Sequence, residues 1–533
     1  MKIISKACVF FIAVTIVSCA RKGRPEGGPK DENAPIMVTA KPPYESLNFD
    51  EKAIRIFFDE YIVLKDLTKQ LIVSPPLKNP LVIEPQGTPS KYLNIKILDT
   101  LRQNTTYTFN FGNAIRDNNE GNKLESFKYV FSTGTTIDSL KLKGNISHAF
   151  NKEKEKNISV LLYKLDSTFT DSTLYKKKPE YVASTLDSTH FNFTNVKEGK
   201  YLIFALKESA NDYLFNPKTD ELGFVNDTIV LPRDSLIHKQ IRLFKEKQPF
   251  KIKRPRELFK GKIQFGFEGG KKDLNIKLIS KTPKSYESFS KFENEKDTLL
   301  YWHTPVDLDS LSFLVTKKDY RDTVTIRLTK KKIDSLKVTS SITSIFNPRD
   351  TLFLETNNPI TSIDSTKVLL VDKDTLRVAH KLMKINSNKV AVLFDIKKNW
   401  NYRLQILPDA IGDLYETKND TLEYKFGTRD HEDYGSIVLG VKNNKNKTVI
   451  IQLLEKDKVL IKRVVTSSEK ITFDLLEPKE YTVRAIIDDN SNGVWDTGNF
   501  LKRIQPEKVL YMPQEFKLRA NWIQNETLVI EED

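Results

Sequence analysis

Short stretches of alternating hydrophobic and polar residues recur along most of the chain. Between residues 35 and 135, apolar side chains occupy every second position in four segments. Alternation with a period of two is typical of β-strands that bury one face. The alternating residues are Ile54, Ile56 and Phe58; Leu93, Ile95 and Ile97; Tyr107, Phe109 and Phe111; and Phe127, Tyr129 and Phe131. Turn-forming sequences separate these segments, so the pattern predicts a two-sheet β-sandwich.

Two internal repeats indicate that the chain contains duplicated domains. The first relates a segment around Tyr107 to one around Tyr402, and the second aligns four residues without gaps. The matched pairs are Tyr107 with Tyr402, Asp117 with Asp413, Phe131 with Phe426, Phe193 with Phe473, Tyr201 with Tyr481, Ala205 with Ala485 and Asn216 with Asp496. In the first repeat we expect the tyrosine hydroxyl to tie a corner of the sandwich to nearby backbone.

Two motifs within these repeats resemble known domain families. The segments LRQNTTYTF at 101–109, AIRD at 114–117, GN at 121–122 and FST at 131–133 resemble the closing pattern of the bacterial Ig-like domain of the SbsA type. The segment FTNVKEGKY at 193–201 resembles prealbumin-like or carboxypeptidase-regulatory-like β-domains. Both resemblances imply β-sandwich folds. The copy around Tyr402 lacks the Gly-Asn turn, so its loop is expected to differ.

The N-terminus has the pattern of a secretory signal. Lys2 and Lys6 accompany an apolar run, Ala7–Val17, that is shorter than the roughly 20 residues a membrane-spanning helix needs. A cysteine, Cys19, follows the run, and the arrangement resembles the lipobox of bacterial lipoproteins. The resemblance implies cleavage before Cys19 and a covalent lipid on it. The alternative is an ordinary signal peptide with a chance cysteine.

This resemblance also implies a location. Inner-membrane lipoproteins often carry Asp after the lipidated cysteine, whereas this chain has Ala20. We therefore expect lipid anchoring in the outer membrane, at the cell surface rather than the periplasmic face. The only other cysteine, Cys8, lies inside the signal, so no disulfide is expected in the mature chain.

The sequence predicts an all-β string of Ig-like and prealbumin-like sandwich domains behind a lipoprotein signal peptide. A proline- and lysine-rich stretch at 248–255 marks one boundary. The predicted segments are a signal peptide at 1–18, a flexible tether at 19–34, an SbsA-type Ig-like domain at 35–135, a prealbumin/regulatory-like sandwich at 136–250, an unassigned β-rich domain at 251–345, a divergent second Ig-like domain at 346–430 and a second prealbumin/regulatory-like sandwich at 431–533.

The charge of the chain is basic, with a formal net charge of +15 at pH 7. Nucleic acid is not an expected partner because the signal directs the chain out of the cytoplasm. The basic residues are single and scattered through alternating strands, which is typical of solvated strand faces and protected sheet edges. A weak attraction to anionic lipid headgroups or surface polysaccharide is the alternative.

A loop at 488–496 carries the one pattern that predicts a metal. Its sequence, DDNSNGVWD, resembles the front of a calcium loop, with oxygen ligands expected from Asp488, Asn490, Asn492, the Val494 carbonyl and Asp496. Asn499 stands at position twelve, where the usual glutamate supplies the bidentate ligand. Only two of the side-chain ligands are carboxylates, so the predicted affinity is weak, about 10⁻⁴–10⁻³ M. The alternative is an Asx-rich turn whose side chains bond only to their own backbone. The matched loop of the earlier copy, at 208–213, has lost the pattern.

Other chemistry finds little support in the sequence. The six histidines show no paired metal-ligand spacing, and no nucleophile elbow or Gly-rich phosphate loop is present. The four tryptophans are expected in cores rather than as sugar-stacking platforms.

We therefore predict a non-enzymatic binding or scaffolding module that contacts envelope proteins, such as an accessory of an assembly, secretion or uptake complex. An adhesin or glycan-binding protein is the alternative, and an envelope hydrolase with its cleft in 251–345 is the third.

Overall fold

The computed structural model describes residues 30–237, 240–444 and 446–530. Predictions for the first 29 residues, including lipid attachment at Cys19, lie outside the described residues. In the described part, α1 (Leu67–Gln70), α2 (Thr173–Lys176) and two 3-10 turns, Ser365–Lys367 and His431–Asp433, interrupt an otherwise strand-built chain. The predicted all-β chain of sandwich domains is confirmed.

The chain divides into two compact units. The first comprises the described residues up to Ile146, those of Glu155–Leu214 and those of Asp227–Ile241. The second comprises Ser147–Lys154, Phe215–Asn226 and the chain from Arg242 onward.

The first β-domain is an antiparallel sandwich of two sheets. Its strands are β1 (Met37–Lys41), β2 (Ala53–Leu64), β3 (Ile72–Ser74), β4 (Val82–Glu84), β5 (Ser90–Lys96), β6 (Thr106–Gly112), β7 (Ile115–Asp117) and β8 (Phe127–Ser132). One sheet has the order β1-β2-β5-β4 with β7 on β2, and the other has the order β3-β6-β8. The alternating residues of the sequence pattern supply the core, in which Phe131 packs on Tyr107 with ring centroids 5.4 Å apart.

The next β-domain begins at residue 140. Its strands are β9 (Leu140–His148), β10 (Ser159–Lys164), β11 (Tyr181–Ser184), β12 (His190–Val196), β13 (Gly199–Lys207), β14 (Glu221–Phe224), β15 (Ile229–Leu231) and β16 (Ile241–Leu243). Within the first unit, β10 pairs with β11 and β13, β15 pairs with β13, and β12 pairs with β9, all antiparallel. This arrangement leaves the β13–β14 connection, 208–220, as a long loop.

The third β-domain, which the sequence left unassigned, is also built from two antiparallel sheets. Its strands are β17 (Lys251–Ile252), β18 (Arg256–Phe259), β19 (Lys262–Glu268), β20 (Asn275–Leu278), β21 (Ser288–Phe292), β22 (Thr298–His303), β23 (Ser310–Lys317) and β24 (Tyr320–Arg327). The sheets have the orders β17-β19-β22-β21, with β18 on β19, and β20-β23-β24. Phe265, Tyr301 and Phe313 form the aromatic centre of the core between them.

The fourth β-domain repeats features of the first. Its strands are β25 (Val338–Ser340), β26 (Leu352–Thr356), β27 (Ile360–Ile363), β28 (Val368–Asp372), β29 (His380–Asn386), β30 (Lys389–Phe394), β31 (Asn401–Ile406), β32 (Ile411–Asp413) and β33 (Leu422–Gly427). Tyr402 stacks on Phe426 with ring centroids 5.2 Å apart, matching Tyr107 on Phe131. The sheets have the orders β25-β26-β30-β29 and β28-β31-β33, with β27 paired to β32.

The tyrosine hydroxyls tie corners to the backbone in both copies of each repeat. Tyr107 accepts the Arg102 backbone N–H at 2.9 Å, and Tyr402 accepts the Lys397 N–H at 2.8 Å, each from five residues upstream. In the second repeat the tyrosine hydroxyl is the donor rather than the acceptor. Tyr201 and Tyr481 donate to the carbonyls of Lys197 and Glu477, four residues upstream and both at 2.8 Å.

The matched aspartates are buried turn anchors. Asp117 accepts the backbone N–H groups of residues 119–122 at 2.5–3.2 Å. Burial acts to raise the pKa of Asp117, but these four hydrogen bonds outweigh it and hold the pKa below its usual value. Asp413 instead accepts the Tyr415 and Thr417 N–H groups at 2.9 Å. The loops differ, as the missing Gly-Asn turn predicted.

The fifth β-domain contains a parallel strand. Its strands are β34 (Gly435–Lys442), β35 (Val449–Glu455), β36 (Lys458–Val465), β37 (Glu469–Leu476), β38 (Glu480–Ile487), β39 (Val509–Tyr511), β40 (Phe516–Lys517) and β41 (Ile523–Val529). One sheet has the order β36-β35-β38-β39 with β40 on β38, and the other has the order β37-β34-β41. β41 runs parallel to β34, in contrast to the antiparallel pairs elsewhere in this domain.

A buried ion pair joins the third and fourth β-domains within the second unit. The Lys262 ammonium lies 3.1 Å from an Asp334 carboxylate oxygen, and the two residues are only 7% and 9% exposed. The Asn357 backbone carbonyl accepts a hydrogen bond from the Lys262 ammonium at 3.3 Å, and the Asn357 side-chain amide donates to the Asp334 carboxylate at 2.9 Å. Nearby, the Tyr415 hydroxyl donates to the Gly261 carbonyl at 2.7 Å. These bonds satisfy polar groups that would otherwise be costly to bury.

The tryptophans follow the core prediction only in part. Trp302 is 2% exposed, in a small cluster with Leu414 and Tyr415. Trp522 is 58% exposed, so its prediction as a core residue is wrong. It directly precedes β41, and the Arg519 guanidinium lies 5.0 Å from its ring centroid.

Candidate functional site

Residues 488–496, called here the Asp/Asn loop, form the first part of the connection from β38 to β39 in the fifth β-domain. Asp488 immediately follows β38, is 2% exposed, and accepts the backbone N–H groups of Asn492 at 3.0 Å and Gly493 at 2.7 Å. These bonds draw the chain into a tight turn, with Gly493 at φ +79°. A left-handed conformation of this kind is easiest for glycine.

The predicted ligand side chains converge in this turn. The Asn490 and Asn492 amides both donate to one Asp496 carboxylate oxygen, at 2.6 and 2.5 Å. The Asn492 side-chain oxygen, Oδ1, accepts the Val494 N–H at 2.8 Å, while Val494 is 54% exposed. A cation in the turn would require each amide to rotate so that its oxygen replaces its nitrogen.

Glu507 is a residue of this site that the sequence analysis missed. It is 7% exposed and accepts the backbone N–H groups of Asp489 at 3.1 Å and Asp496 at 2.8 Å. Burial raises the pKa of Glu507, and the neighbouring charges of Asp488 and Asp496 add to the effect. Glu507 therefore joins the two ends of the loop and adds a third carboxylate to its surroundings.

Asn499, which occupies position twelve of the calcium pattern, lies in a different turn. Its backbone exchanges hydrogen bonds with Ile504 at 2.8 and 2.9 Å, and its side chain accepts the Lys502 N–H at 2.9 Å. A positive charge already borders the loop, because the Lys462 ammonium donates to the Gly493 carbonyl.

The earlier copy of this loop has the same backbone geometry with different side chains. Glu208 accepts the N–H groups of Asp212 at 3.1 Å and Tyr213 at 3.0 Å, the same four- and five-residue spacings that Asp488 uses. Asn211 and Ser491 both have φ +55°, and Tyr213 has φ +62° where Gly493 has +79°. Because Ala210 stands in this loop where Asn490 stands in the later one, the turn does not need an asparagine there.

The Asp/Asn loop and the turn after it pack against earlier segments of the chain, within the second unit. Trp495 lies 4.8 Å from Phe150 between ring centroids, and Phe500 lies 5.6 Å from Phe224. The Phe500 N–H donates to the Glu246 carboxylate at 2.6 Å. At Gly498, a Cβ atom would approach the Phe244 ring to 2.6 Å, so glycine is required for this packing.

A second candidate site is a cleft of about 660 Å³ at one end of the third β-domain. The residues that line it come from three segments, 257–261, 303–309 and 327–331. At the cleft, Glu257 is 8% exposed, and one of its oxygens accepts the Thr329 N–H at 2.8 Å and the Thr329 hydroxyl at 2.7 Å. The volume is within the range of small-ligand pockets.

His303 lines the same cleft and is 1% exposed. Its Nδ1 lies 2.8 Å from the Thr304 carbonyl oxygen, which can only accept, so Nδ1 carries the ring proton. Burial lowers the pKa of His303, which keeps the ring neutral at pH 7. Nε2 therefore carries a lone pair, but it is buried from solvent and has no hydrogen-bond partner among the described residues.

Comparisons with known proteins place a family likeness at the N-terminal end. Residues 31–133 match the bacterial Ig-like domain family, which agrees with the resemblance drawn from the motifs at 101–133. No curated protein matches the sequence. Among the described residues, no helix has the length and apolar character needed to cross a bilayer.

Several solved structures have partial similarity to this chain. The S-layer protein SbsC is 12% identical, with a TM-score of 0.15 over 92% of this chain and 68% of that one. Native alpha-2-macroglobulin from Escherichia coli, in a fragment spanning MG0-NIE-MG1, is 13% identical, with a TM-score of 0.17 over 33% and 71%. The major pilin subunit of Bacillus cereus is 13% identical, with a TM-score of 0.12 over 73% and 99%. TM-scores this low describe no shared overall structure, and no functional conclusion follows from them.

Proposed function

We propose that the protein is a non-enzymatic lipoprotein of the cell envelope, anchored in the outer membrane through Cys19 and serving as a binding or scaffolding module at the cell surface. The observation that carries this proposal is the set of buried contacts between β-domains of the second unit. The Lys262–Asp334 pair and the Tyr415–Gly261 hydrogen bond join the third and fourth β-domains. A scaffold needs this property because its binding surfaces must keep their relative positions.

Three measurements test the anchor, the side of the membrane that the protein faces, and the role. Replacing Cys19 with Ser should release the protein from membranes, and retention of the variant would contradict lipid anchoring. Protease treatment of intact cells should degrade the wild-type protein if it faces outward. A pull-down of tagged protein from detergent-solubilised outer membranes should recover an envelope complex in stoichiometric amounts. Recovery of the lipoprotein alone would contradict the scaffold role and favour adhesion.

We propose, further, that the Asp/Asn loop binds calcium through oxygens of Asp488, Asn490, Asn492, Val494 and Asp496. The set contains only oxygen donors, which suits a hard cation. The loop of the earlier copy supports the proposal, because it keeps the turn with Ala210 in the place of Asn490. The Asx side chains of the later loop therefore exceed what the turn itself requires.

The internal repeat supplies a matched variant for the calcium test. Asn490→Ala introduces the residue of the earlier copy, so calcium-free stability should stay within about 0.5 kcal/mol of wild type. Ten millimolar calcium should stabilise the wild-type chain by about 2.7 kcal/mol if the dissociation constant is near 10⁻⁴ M, and should stabilise Asn490→Ala much less. An equal response of both proteins, or none in the wild type, would contradict the site. Magnesium at the same concentration is the control.

A further inference from the structure

The net positive charge of the protein is concentrated in the third β-domain. Residues 251–332 contain 20 Lys and Arg against 11 Asp and Glu, a net charge of +9 out of +15 for the whole chain. These 82 of 533 residues therefore carry more than half of the excess charge. A domain of this charge attracts anions.

The cleft beside His303 collects unpaired cations of this domain. Lys260, Arg327 and Lys330 line it, are exposed, and have no acidic partner in the described part of the chain. Lys331 differs, because its ammonium donates to the Glu257 carbonyl. Three free cations at one opening can bind carboxylate, sulfate or phosphate groups through charge-assisted hydrogen bonds.

The same cleft also offers hydrogen-bond acceptors. Asp307 and Asp309 line its rim and are exposed. Acceptors of this kind suit ligand hydroxyl groups. Apart from His303, the lining contains no aromatic side chain, so it lacks the stacking platforms that single-stranded nucleic acids use.

We propose that this cleft binds an anionic saccharide, with its acidic groups on Lys260, Arg327 and Lys330 and its hydroxyls on the Asp307 and Asp309 carboxylates. An acidic saccharide carries both kinds of group along its chain, and a cleft of about 660 Å³ has room for a short sugar segment. The inference is independent of the lipid anchor and of the calcium loop.

Calorimetric titration of the full chain with polygalacturonate and heparin tests the proposal, with dextran as the uncharged control. Saturable binding of either acidic polymer, and none of dextran, is expected. The variant Arg327→Gln/Lys330→Gln should weaken binding about tenfold or more, since loss of two charge-assisted contacts removes at least about 1.4 kcal/mol.

A matched pair separates the cleft from the general field of the domain. Lys281→Gln/Lys284→Gln removes the same charge at two exposed positions that do not line the cleft, and should change affinity less than about twofold. Equal weakening by both pairs, absence of saturable binding, or tighter binding to anionic vesicles or oligonucleotides would each overturn the proposal. Unfolding curves that match wild type establish that the variants are folded.

Discussion

Removing one partner of the buried Lys262–Asp334 pair should destabilise the third and fourth β-domains. In Lys262→Met, the methionine fills most of the lysine volume but leaves the Asp334 carboxylate, 9% exposed, without its counter-ion. Only the Asn357 amide at 2.9 Å would remain on the charged oxygen.

The expected cost follows from the burial of both groups. A charge left unpaired in such a site costs about 3–5 kcal/mol, whereas replacing both partners with apolar residues is often nearly neutral. Lys262→Met should therefore lose about 3–5 kcal/mol, and Lys262→Met/Asp334→Leu should lose less than the single variant. For two domains of this combined size, about 2–4 °C per kcal/mol gives a fall of about 6–20 °C in the affected transition.

Scanning calorimetry of the full chain measures this effect. Several transitions are expected from several domains, and only the one that shifts in Lys262→Met is compared. Lys253→Met is the control, because Lys253 pairs with Glu268 at 3.2 Å with side chains 56% and 41% exposed. It should cost less than about 1 kcal/mol. A Lys262→Met variant within 1 °C of the control, or a double variant that loses more stability than Lys262→Met, would refute the reasoning.

Three further predictions concern other parts of the chain. Tyr402→Phe leaves the Lys397 N–H without its acceptor and should cost about 1–3 kcal/mol in chemical unfolding; an unchanged midpoint would show that water replaces the hydroxyl. Phe500→Ala removes the ring that packs on Phe224 and should cost about 3–5 kcal/mol and speed proteolysis after residue 430; unaltered cleavage would contradict the packing role. Burial raises the pKa of Glu208 from 4.5 to about 7, so the folded state binds the proton more tightly and stability falls as pH rises through this window. Glu208→Gln should remove that fall when unfolding is compared at pH 5 and pH 7.5, and an unchanged pH profile would contradict the shift.

Local patterns in the sequence were sufficient for the strands and their buried faces. Alternation identified the first core, because it is a pattern of residues close together in the chain. The repeat identified Tyr402 as the counterpart of Tyr107, because each tyrosine lies in a short motif of its own. The direction of β41 was not accessible in this way. A period of two describes which face is buried and contains nothing about which strand lies alongside or whether it runs parallel.

The two candidate sites differ in how far apart their residues lie in the sequence. The Asp488 turn could be predicted because its side chains lie within nine residues, at the spacing of a calcium loop. Glu507 lies 11 residues beyond Asp496 and reaches the loop only through the turn at Asn499. The His303 cleft is assembled from three segments that the sheets bring together. No single segment carries its pattern, so sequence reasoning could identify only the region, 251–345.

The contacts that Trp495 and Tyr511 of the fifth β-domain make with Phe150 have a consequence for proteolysis. The Tyr511 hydroxyl donates to the Phe150 carbonyl at 2.8 Å, across 361 positions of sequence, and Trp495 covers the same phenylalanine. A protease that cuts an exposed loop between residues 251 and 430 would break the covalent connection while these contacts remain. The severed C-terminal part should then stay bound to the N-terminal part until a denaturant separates them. For a protein exposed to extracellular proteases, a nick in the middle of the chain would not by itself shed its last domain.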